Sequence, residues 1–308
     1  PTISSEECLK YCDFVIMGEG EETLLELVKK IRDKKPTHLI HGMFTKQKGV
    51  IYKNSLRPPI QAEDLVNIDN DYSSDYILLK DKLYPIDYKI LKKYLTEDYM
   101  TLTSFGCPYS CSYCINNKLK ELYGPKVRFR KVDEVINELT SVKNKMKFIR
   151  HISFDDDAFI LRDLEGLKEF AKKYKENVNL PFFVSGVNPM LISEEKMVVL
   201  LSAGMDRVRM GIQSGSVKAK AIYHRYIPND RIINATKIIN KYKNSLLLTA
   251  YDLILDNPFE SKEDVIETIK LLSELPAPFT LNLFSLTFYP GTDIYREAKA
   301  MGFIKDDV

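Results

Sequence analysis

Residues 100–114 read Met100-Thr-Leu-Thr-Ser-Phe-Gly-Cys107-Pro-Tyr-Ser-Cys111-Ser-Tyr-Cys114. A strand-like start runs into a loop that holds three cysteines within eight residues. Gly106 and Pro108 suit a backbone that turns tightly around a compact object. Three thiols so close in sequence can meet at one metal centre without long-range folding. A structural zinc site prefers four ligands in a closed tetrahedron, and an ordinary ferredoxin-type cluster also takes four cysteines. Here three are local, and a fourth would come from Cys8, Cys12 or a distant His. A 4Fe-4S cluster on three cysteines leaves one iron open, and the missing fourth ligand favours that arrangement. The bland reading, unpaired thiols with no ligand, suits a turn-rich strand end poorly.

Outward from this loop the pattern is regular. Apolar runs predict strands at Met100–Phe105, Phe148–Phe154, Pro181–Gly186, Arg207–Ile212, Leu246–Leu255 and Leu281–Phe288. Between them lie helical stripes: Val132, Val135, Ile136, Leu139 and Val142; Leu164, Leu167, Phe170 and Ala171; Met197, Leu200 and Leu201; Val265, Ile269, Leu272 and Leu275. Ser193 and Ser261 are expected helix starts, since a serine hydroxyl accepts from the free amides of a first turn. Strand and helix in alternation predict an α/β fold with a parallel sheet and helical crossovers. Six units are too few to close an eight-stranded barrel, so a partial (β/α)6 barrel is expected. In such sheets ligands bind at the C-terminal strand ends, where the cysteine loop leaves its strand.

The chain has 308 residues, 44% hydrophobic and 29% charged, with a net charge of +2. That supports one barrel-sized domain plus a smaller piece, and gives no reason to expect nucleic acid or an anionic membrane as partner. No apolar run is long enough to span a bilayer, and the N-terminus does not read as a signal peptide; a cytoplasmic location is expected. Five cysteines, an odd number with three clustered, do not read as a secreted disulfide framework. Residues 1–35 read as a short piece ending in a helix, 36–95 as an irregular linker, and 96–308 as the regular core.

The C-x-x-x-C-x-x-C loop with Tyr113 before its last cysteine resembles the signature of the radical S-adenosylmethionine (SAM) superfamily. The resemblance runs from Met100 to about Ile304 and implies a partial (β/α)6 barrel of the radical SAM type. It further implies a 4Fe-4S cluster on Cys107, Cys111 and Cys114, whose open iron chelates the methionine moiety of SAM. An electron from the cluster then cleaves SAM to a 5′-deoxyadenosyl radical. The family draws that electron from a donor such as flavodoxin or ferredoxin, and the substrate is expected to be a small molecule or a peptide.

Other segments extend the likeness. Phe154-Asp-Asp-Asp157 replaces the family's Gly-Gly-Glu run and resembles the branch that carries a cobalamin-binding domain; Asp155 or Asp156 is expected near the cofactor's ammonium. Ser185 and Asn188, at the third strand's end, are candidates for the ribose hydroxyls, with a helix-capping role as the rival. Gly211-Ile-Gln-Ser-Gly215 resembles the family's Gly-Ile-Glu-Ser-Gly, with Gln213 in place of Glu and two glycines for close backbone approach. Arg225 is a candidate partner of the methionine carboxylate, with a surface arginine as the alternative. Tyr113 is expected beside the adenine. Asp252 reads as a core-facing structural acid.

Near the N-terminus, Asp13–Val28 reads as a strand, a Gly turn and an amphipathic helix. Glu19, Glu21 and Glu22 crowd its first turn and would repel a phosphate, which excludes a dinucleotide fingerprint. The segment resembles the last strand and helix of a Rossmann-like cobalamin-binding domain. Residues 1–35 are therefore expected to be a remnant of that domain, with cobalamin admitted for the full-length protein. The activity implied is a cobalamin-dependent radical methyltransferase. A radical cyclase, rearranging or sulfur-inserting enzyme and a zinc-stabilised binding module stand as alternatives.

Overall fold

The computed structural model describes residues 1–64 and 70–305. Its packing divides the chain into two units, Pro1–Asp64 with Glu121–Gly124, and Leu65–Lys120 with Pro125–Val308.

The larger unit is built on six strands: β1 (Asp98–Thr101), β2 (His151–Phe154), β3 (Phe182–Val187), β4 (Met205–Gln213), β5 (Leu248–Leu255) and β6 (Thr280–Ser285). Every neighbouring pair is parallel, and spatial order equals chain order. β1 and β6 are the two edges, so the sheet is a partial barrel left open between them. All six expected strands are present. The first ends sooner than expected, at Thr101, and Ser104–Phe105 instead pairs antiparallel with Arg128–Phe129.

Alternation fixes which side chains face the helices and which face the lumen. In β4, Val208, Met210 and Ile212 are buried beneath the helices, which leaves Arg207, Arg209, Gly211 and Gln213 for the lumen. The helical layer comprises α1 (Val132–Lys145), α2 (Leu164–Asn177), α3 (Glu194–Ala203), α4 (Asn229–Asn240), α5 (Lys262–Ser273) and α6 (Asp293–Ala300). Ser193 and Ser261 cap α3 and α5 as expected, and Gly204 ends α3 in the left-handed region, φ +113°. α4 was missed in the sequence, although Ile232, Ala235 and Ile239 are buried at helical spacing.

Half of the stripe expected on α5 is corrected: Leu272 and Leu275 pack in the core as expected, but Val265 and Ile269 are exposed, and Asp264, Thr268 and Leu271 face inward instead. The helix is rotated by hydrogen bonds rather than by its apolar residues. Gly215 N donates to Thr268 Oγ1 (2.9 Å), and Ser216 Oγ donates to Asp264 Oδ1 (2.6 Å).

Beneath α1 lies a buried ion pair. Arg130 Nη2 donates to Glu138 Oε2 (2.6 Å), while Tyr99 and Thr101 of β1 donate to the other Glu138 oxygen. Arg130 Nη1 also holds the Leu102 carbonyl at 2.9 Å. A buried charge pair persists when most of its remaining atoms find such partners; here Arg130 Nε alone of the pair's polar atoms is left buried without one. These partners fix the exit of β1.

The smaller unit contains a three-stranded antiparallel sheet, Phe14–Ile16 with Met43–Gln47 and then Val50–Lys53. Helix Glu21–Arg32 turns Thr23 and Leu27 inward, and Leu27 packs with Ile40 and Met43. The expected strand, glycine turn and helix are there. The strand takes an antiparallel partner from residues 43–47, which the expectation of an irregular linker did not foresee. In the larger unit, Tyr76–Leu79 pairs with Lys82–Pro85, and Asp87 caps helix Tyr88–Leu95. The described residues of 36–95 thus carry two hairpins and a helix where an irregular linker was expected. Their strands are four to five residues long, too short for alternation to stand out. Among the described residues no helix is long and apolar enough to cross a membrane.

Candidate active site

The cysteine loop leaves β1 at the C-terminal end of the sheet and is fastened by two other parts of the chain, residues 222–223 and 293–294. Ser112 N donates to the Tyr223 carbonyl (3.0 Å), and Ser112 Oγ to that of Ile222 (2.6 Å). Ile294 N at the start of α6 donates to the Ser112 carbonyl (3.1 Å). Asn117 Nδ2 reaches Asp293 Oδ2 (2.8 Å). Gly106 makes the initial turn at φ +91°. The thiols are therefore positioned by backbone hydrogen bonds from elements far away in sequence.

All three cysteines are free, with Cys111 buried and the others half-buried. Burial pushes the Cys107 thiol up to about 11; the Tyr109 amide opposes this, and Asp157, Cys111 and Cys114 add to it. Burial likewise raises Cys114, against the Asn116 amide. The three sulfurs thus share one electrostatic neighbourhood, with backbone donors aimed at two of them. Among the described residues no three His, Cys, Asp or Glu side chains converge closely enough to hold a single metal ion.

Arg225 links this loop to β4. Its Nη2 donates to the Gly211 carbonyl (2.6 Å), and its Nη1 lies 3.9 Å from Cys111 Sγ. Its Nε is buried without a partner. The guanidinium therefore faces a cysteine, which is not the surface position that was the rival reading. Gly211 makes room for it: a Cβ there would sit 2.6 Å from Gln213 Nε2 and 3.2 Å from Arg225 Nη2. Gln213 adopts φ +71°, a conformation uncommon outside glycine. Gly215 has a different purpose from the one expected. Its missing side chain admits the α5 backbone, since a Cβ would lie 2.7 Å from Thr268 Cα.

The acidic run at the end of β2 separates by side. Asp156 is buried and accepts from Thr103 N on both oxygens (2.9 and 3.0 Å), from Thr103 Oγ1 (2.9 Å) and from Ser104 Oγ (2.5 Å). The expectation that Asp156 faces a ligand is therefore corrected: it anchors the chain entering the cysteine loop. Asp155 is exposed and accepts from Ser185 Oγ (2.5 Å). Ser185 also donates to the Phe154 carbonyl (3.3 Å). Asn188 caps the turn Pro189–Leu191, which is the rival role it was given. Asp157, not singled out in the sequence, adds its negative charge to what raises Cys107 and Cys114. Its carboxyl is raised by partial burial and by Asp155, with an Asn116 hydrogen bond opposing. Alternation from Ser153 onward would have sorted the three, because positions 155 and 157 share a side that 156 does not.

Next to the loop, a cleft of about 280 Å³ opens along the ends of β4, β5 and β6. Tyr113, Gln213, Ile254, Phe284 and Leu286 line it toward the strand ends, and Arg209 and Asp252 line it lower in the lumen. Tyr113 packs edge-on against Tyr223 at 5.3 Å. Burial raises its hydroxyl well above the ordinary tyrosine value, with Arg225 opposing and Cys111 adding. Asp252, expected as a core-facing structural acid, is buried but lines the cleft from the lumen side; Arg209 was not anticipated.

The family model of the radical SAM superfamily matches residues 101–272. Over 307 residues the chain is 29% identical to an uncharacterised methyltransferase of Pyrococcus horikoshii, covering 97% of this chain and 61% of that protein. Over 296 residues it is 23% identical to an anaerobic magnesium-protoporphyrin IX monomethyl ester cyclase of Rubrivivax gelatinosus, covering 93% of this chain and 49% of that one. Among solved structures, the fold matches the radical SAM methyltransferase TsrM of Kitasatospora setae, solved with tryptophan substrate and a SAM analogue. The TM-score is 0.72 at 19% identity, over 94% of this chain and 54% of that one. It also matches the cobalamin-dependent SAM radical enzyme OxsB with aqua-cobalamin and SAM bound, at TM-score 0.65 and 16% identity, over 98% and 41% of the two chains. The chain thus spans about half to three-fifths of the relatives it matches.

Proposed function

The chain belongs to the radical SAM superfamily, and on that premise we propose that Cys107, Cys111 and Cys114 hold a 4Fe-4S cluster that serves reductive cleavage of SAM. The observation that carries this reading is the fastened three-thiol loop beside the strand-end cleft, with the Arg225 guanidinium on Cys111. A single bound ion draws its thiolates to about 2.3 Å from one centre. A cluster spaces them, because each sulfur takes a different iron. Three thiols on one short loop, with no fourth ligand in that loop, suit the second case.

When bound, the cluster supplies the electron that breaks the SAM sulfonium bond and releases a 5′-deoxyadenosyl radical. The chain's own residues do the rest. The Tyr109 and Asn116 amides offset thiolate charge at Cys107 and Cys114. Arg225 offers a cation at Cys111, and its unpartnered Nε is a donor for an anionic group such as a carboxylate. Asp155 and Asp157, two acids on one side of a strand end, hold a cation between them most favourably, which suits an ammonium. Tyr113 and Ile254 give a flat apolar wall for a nucleobase, and Gln213 an amide at its edge.

We further propose methyl transfer with cobalamin in the whole protein, as the relatives' descriptions suggest. The reading carries with it a low-potential donor such as flavodoxin or ferredoxin and a reducing compartment. Anaerobic reconstitution is expected to give about four irons and four sulfides per chain, with deoxyadenosine formed from SAM and dithionite. Cys111→Ala is expected to abolish both. A chain that takes up zinc and makes no deoxyadenosine would overturn the proposal.

A further inference from the structure

We infer that the floor of the cleft is a carboxylate-binding subsite for the substrate, with Arg209 as its anchor. The inference rests on the reading above and adds the class of molecule taken. Arg209 rises from the lumen face of β4, one alternation below Gly211. Its Nε donates to both oxygens of Asp252, at 2.7 and 2.8 Å. Asp252 is held in turn by Asn282 Nδ2 at 2.9 Å. The Phe284 ring lies 5.1 Å from the guanidinium carbon. One edge and one face of the guanidinium are thereby fixed, and the side chain keeps a third of its surface, 33%.

The two Nη groups have no protein partner among these contacts, and neither is among the buried polar atoms left without one. The same residue lines the cleft, so its remaining N–H donors are presented to whatever enters. Two N–H bonds in one plane match the two oxygens of a carboxylate. The Asp252 partner cancels the formal charge. Selection therefore depends on donor geometry more than on net attraction. A carboxylate offers only acceptors to the fork, whereas a carboxamide turns an NH2 toward it and leaves donors facing donors. Ile254, Phe284 and Leu286 supply apolar wall for an organic body above the carboxylate. A purely structural Arg209–Asp252 pair would make no distinction between an acid and its amide.

The test is calorimetric titration of the anaerobically reconstituted full chain with 3-phenylpropionate and, separately, 3-phenylpropanamide. The acid is expected to bind at least about tenfold more tightly, because a mispaired polar group in such a site is strongly rejected. Arg209→Gln is expected to bring the ratio to about one. Should that variant fail to fold, the wild-type ratio decides alone. Equal affinities, no binding of either probe, or an acid preference that survives in Arg209→Gln would each overturn the inference. Cys111→Ala keeps the two readings apart. An acid preference in that iron-free protein supports the subsite whatever the fate of the cluster, and a normal cluster with no acid preference in wild type rejects the subsite alone.

Discussion

Gly211 and Gly215 lie four residues apart, and adding one methyl group to each should break different things. At Gly215 the new Cβ meets backbone: Thr268 Cα at 2.7 Å, the Glu267 carbonyl at 3.0 Å and Leu271 Cβ at 3.0 Å. Carbon pairs rest at about 3.5–4.0 Å, so the loop must lift by the better part of an ångström. Overpacking of this kind costs about 1–3 kcal/mol. Lifting also stretches the buried Gly215–Thr268 and Ser216–Asp264 hydrogen bonds, worth about 1 kcal/mol each. Gly215→Ala should therefore lose about 3–5 kcal/mol. At Gly211 the new Cβ meets only the ends of two flexible side chains, Gln213 Nε2 and Arg225 Nη2. Both can swing aside, so Gly211→Ala should lose less than about 1 kcal/mol. It should nonetheless displace the groups that line the cleft and face Cys111, and misplacement by about 1 Å costs on the order of 100-fold in rate. Urea unfolding followed by circular dichroism reads the first quantity, and deoxyadenosine formation by the reconstituted protein reads the second. The reasoning is refuted if both variants lose equal stability, or if Gly211→Ala cleaves SAM at the wild-type rate.

Two further outcomes follow from buried charges. Asp264 accepts from Ser216, Ser261 and Lys218, and these bonds, Ser216 first, hold its carboxyl far below the ordinary 3.8. A depressed folded value gives stability that is fully present above the unfolded value and is lost as pH falls below it. The difference in Tm between wild type and Asp264→Asn should be constant above about pH 5 and shrink below 3.8; a difference that grows in acid would contradict the assignment. Glu138→Ala strands Arg130, Tyr99 and Thr101 in the core and should cost about 3–5 kcal/mol, measured by urea unfolding. A loss under 1 kcal/mol would mean that the network is not needed.

The barrel was legible because its units repeat. The inner strands carry buried apolar residues, although the edge strand β6 buries none, and α1, α2, α3 and α5 announced themselves by a stripe or a cap where α4 and α6 did not. The cysteine loop was legible because its chemistry is local. What sequence could not yield was decided across long separations. The first half of the stripe on α5 pointed the wrong way because Thr268 and Asp264 bond to a loop some fifty residues earlier. Asp156 looked like a ligand acid, yet its partners Thr103 and Ser104 lie on another strand end. Arg209 was passed over because its role depends on Asp252, Asn282 and Phe284, on two other strands. The hairpins within 36–95 are too short for alternation to register.

The fastening of the cysteine loop also sets an order of events during synthesis. Cys114 is made early, but its neighbours Ser112 and Asn117 are clamped by Ile294 and Asp293. A ribosome adding about 5–20 residues per second needs roughly 10–40 s to cover the intervening stretch. For that interval the three thiols exist on a nascent chain without their clamp, open to oxidation or to a competing metal. A maturation machinery that delivers iron and sulfide has reason to wait for the last helix of the barrel.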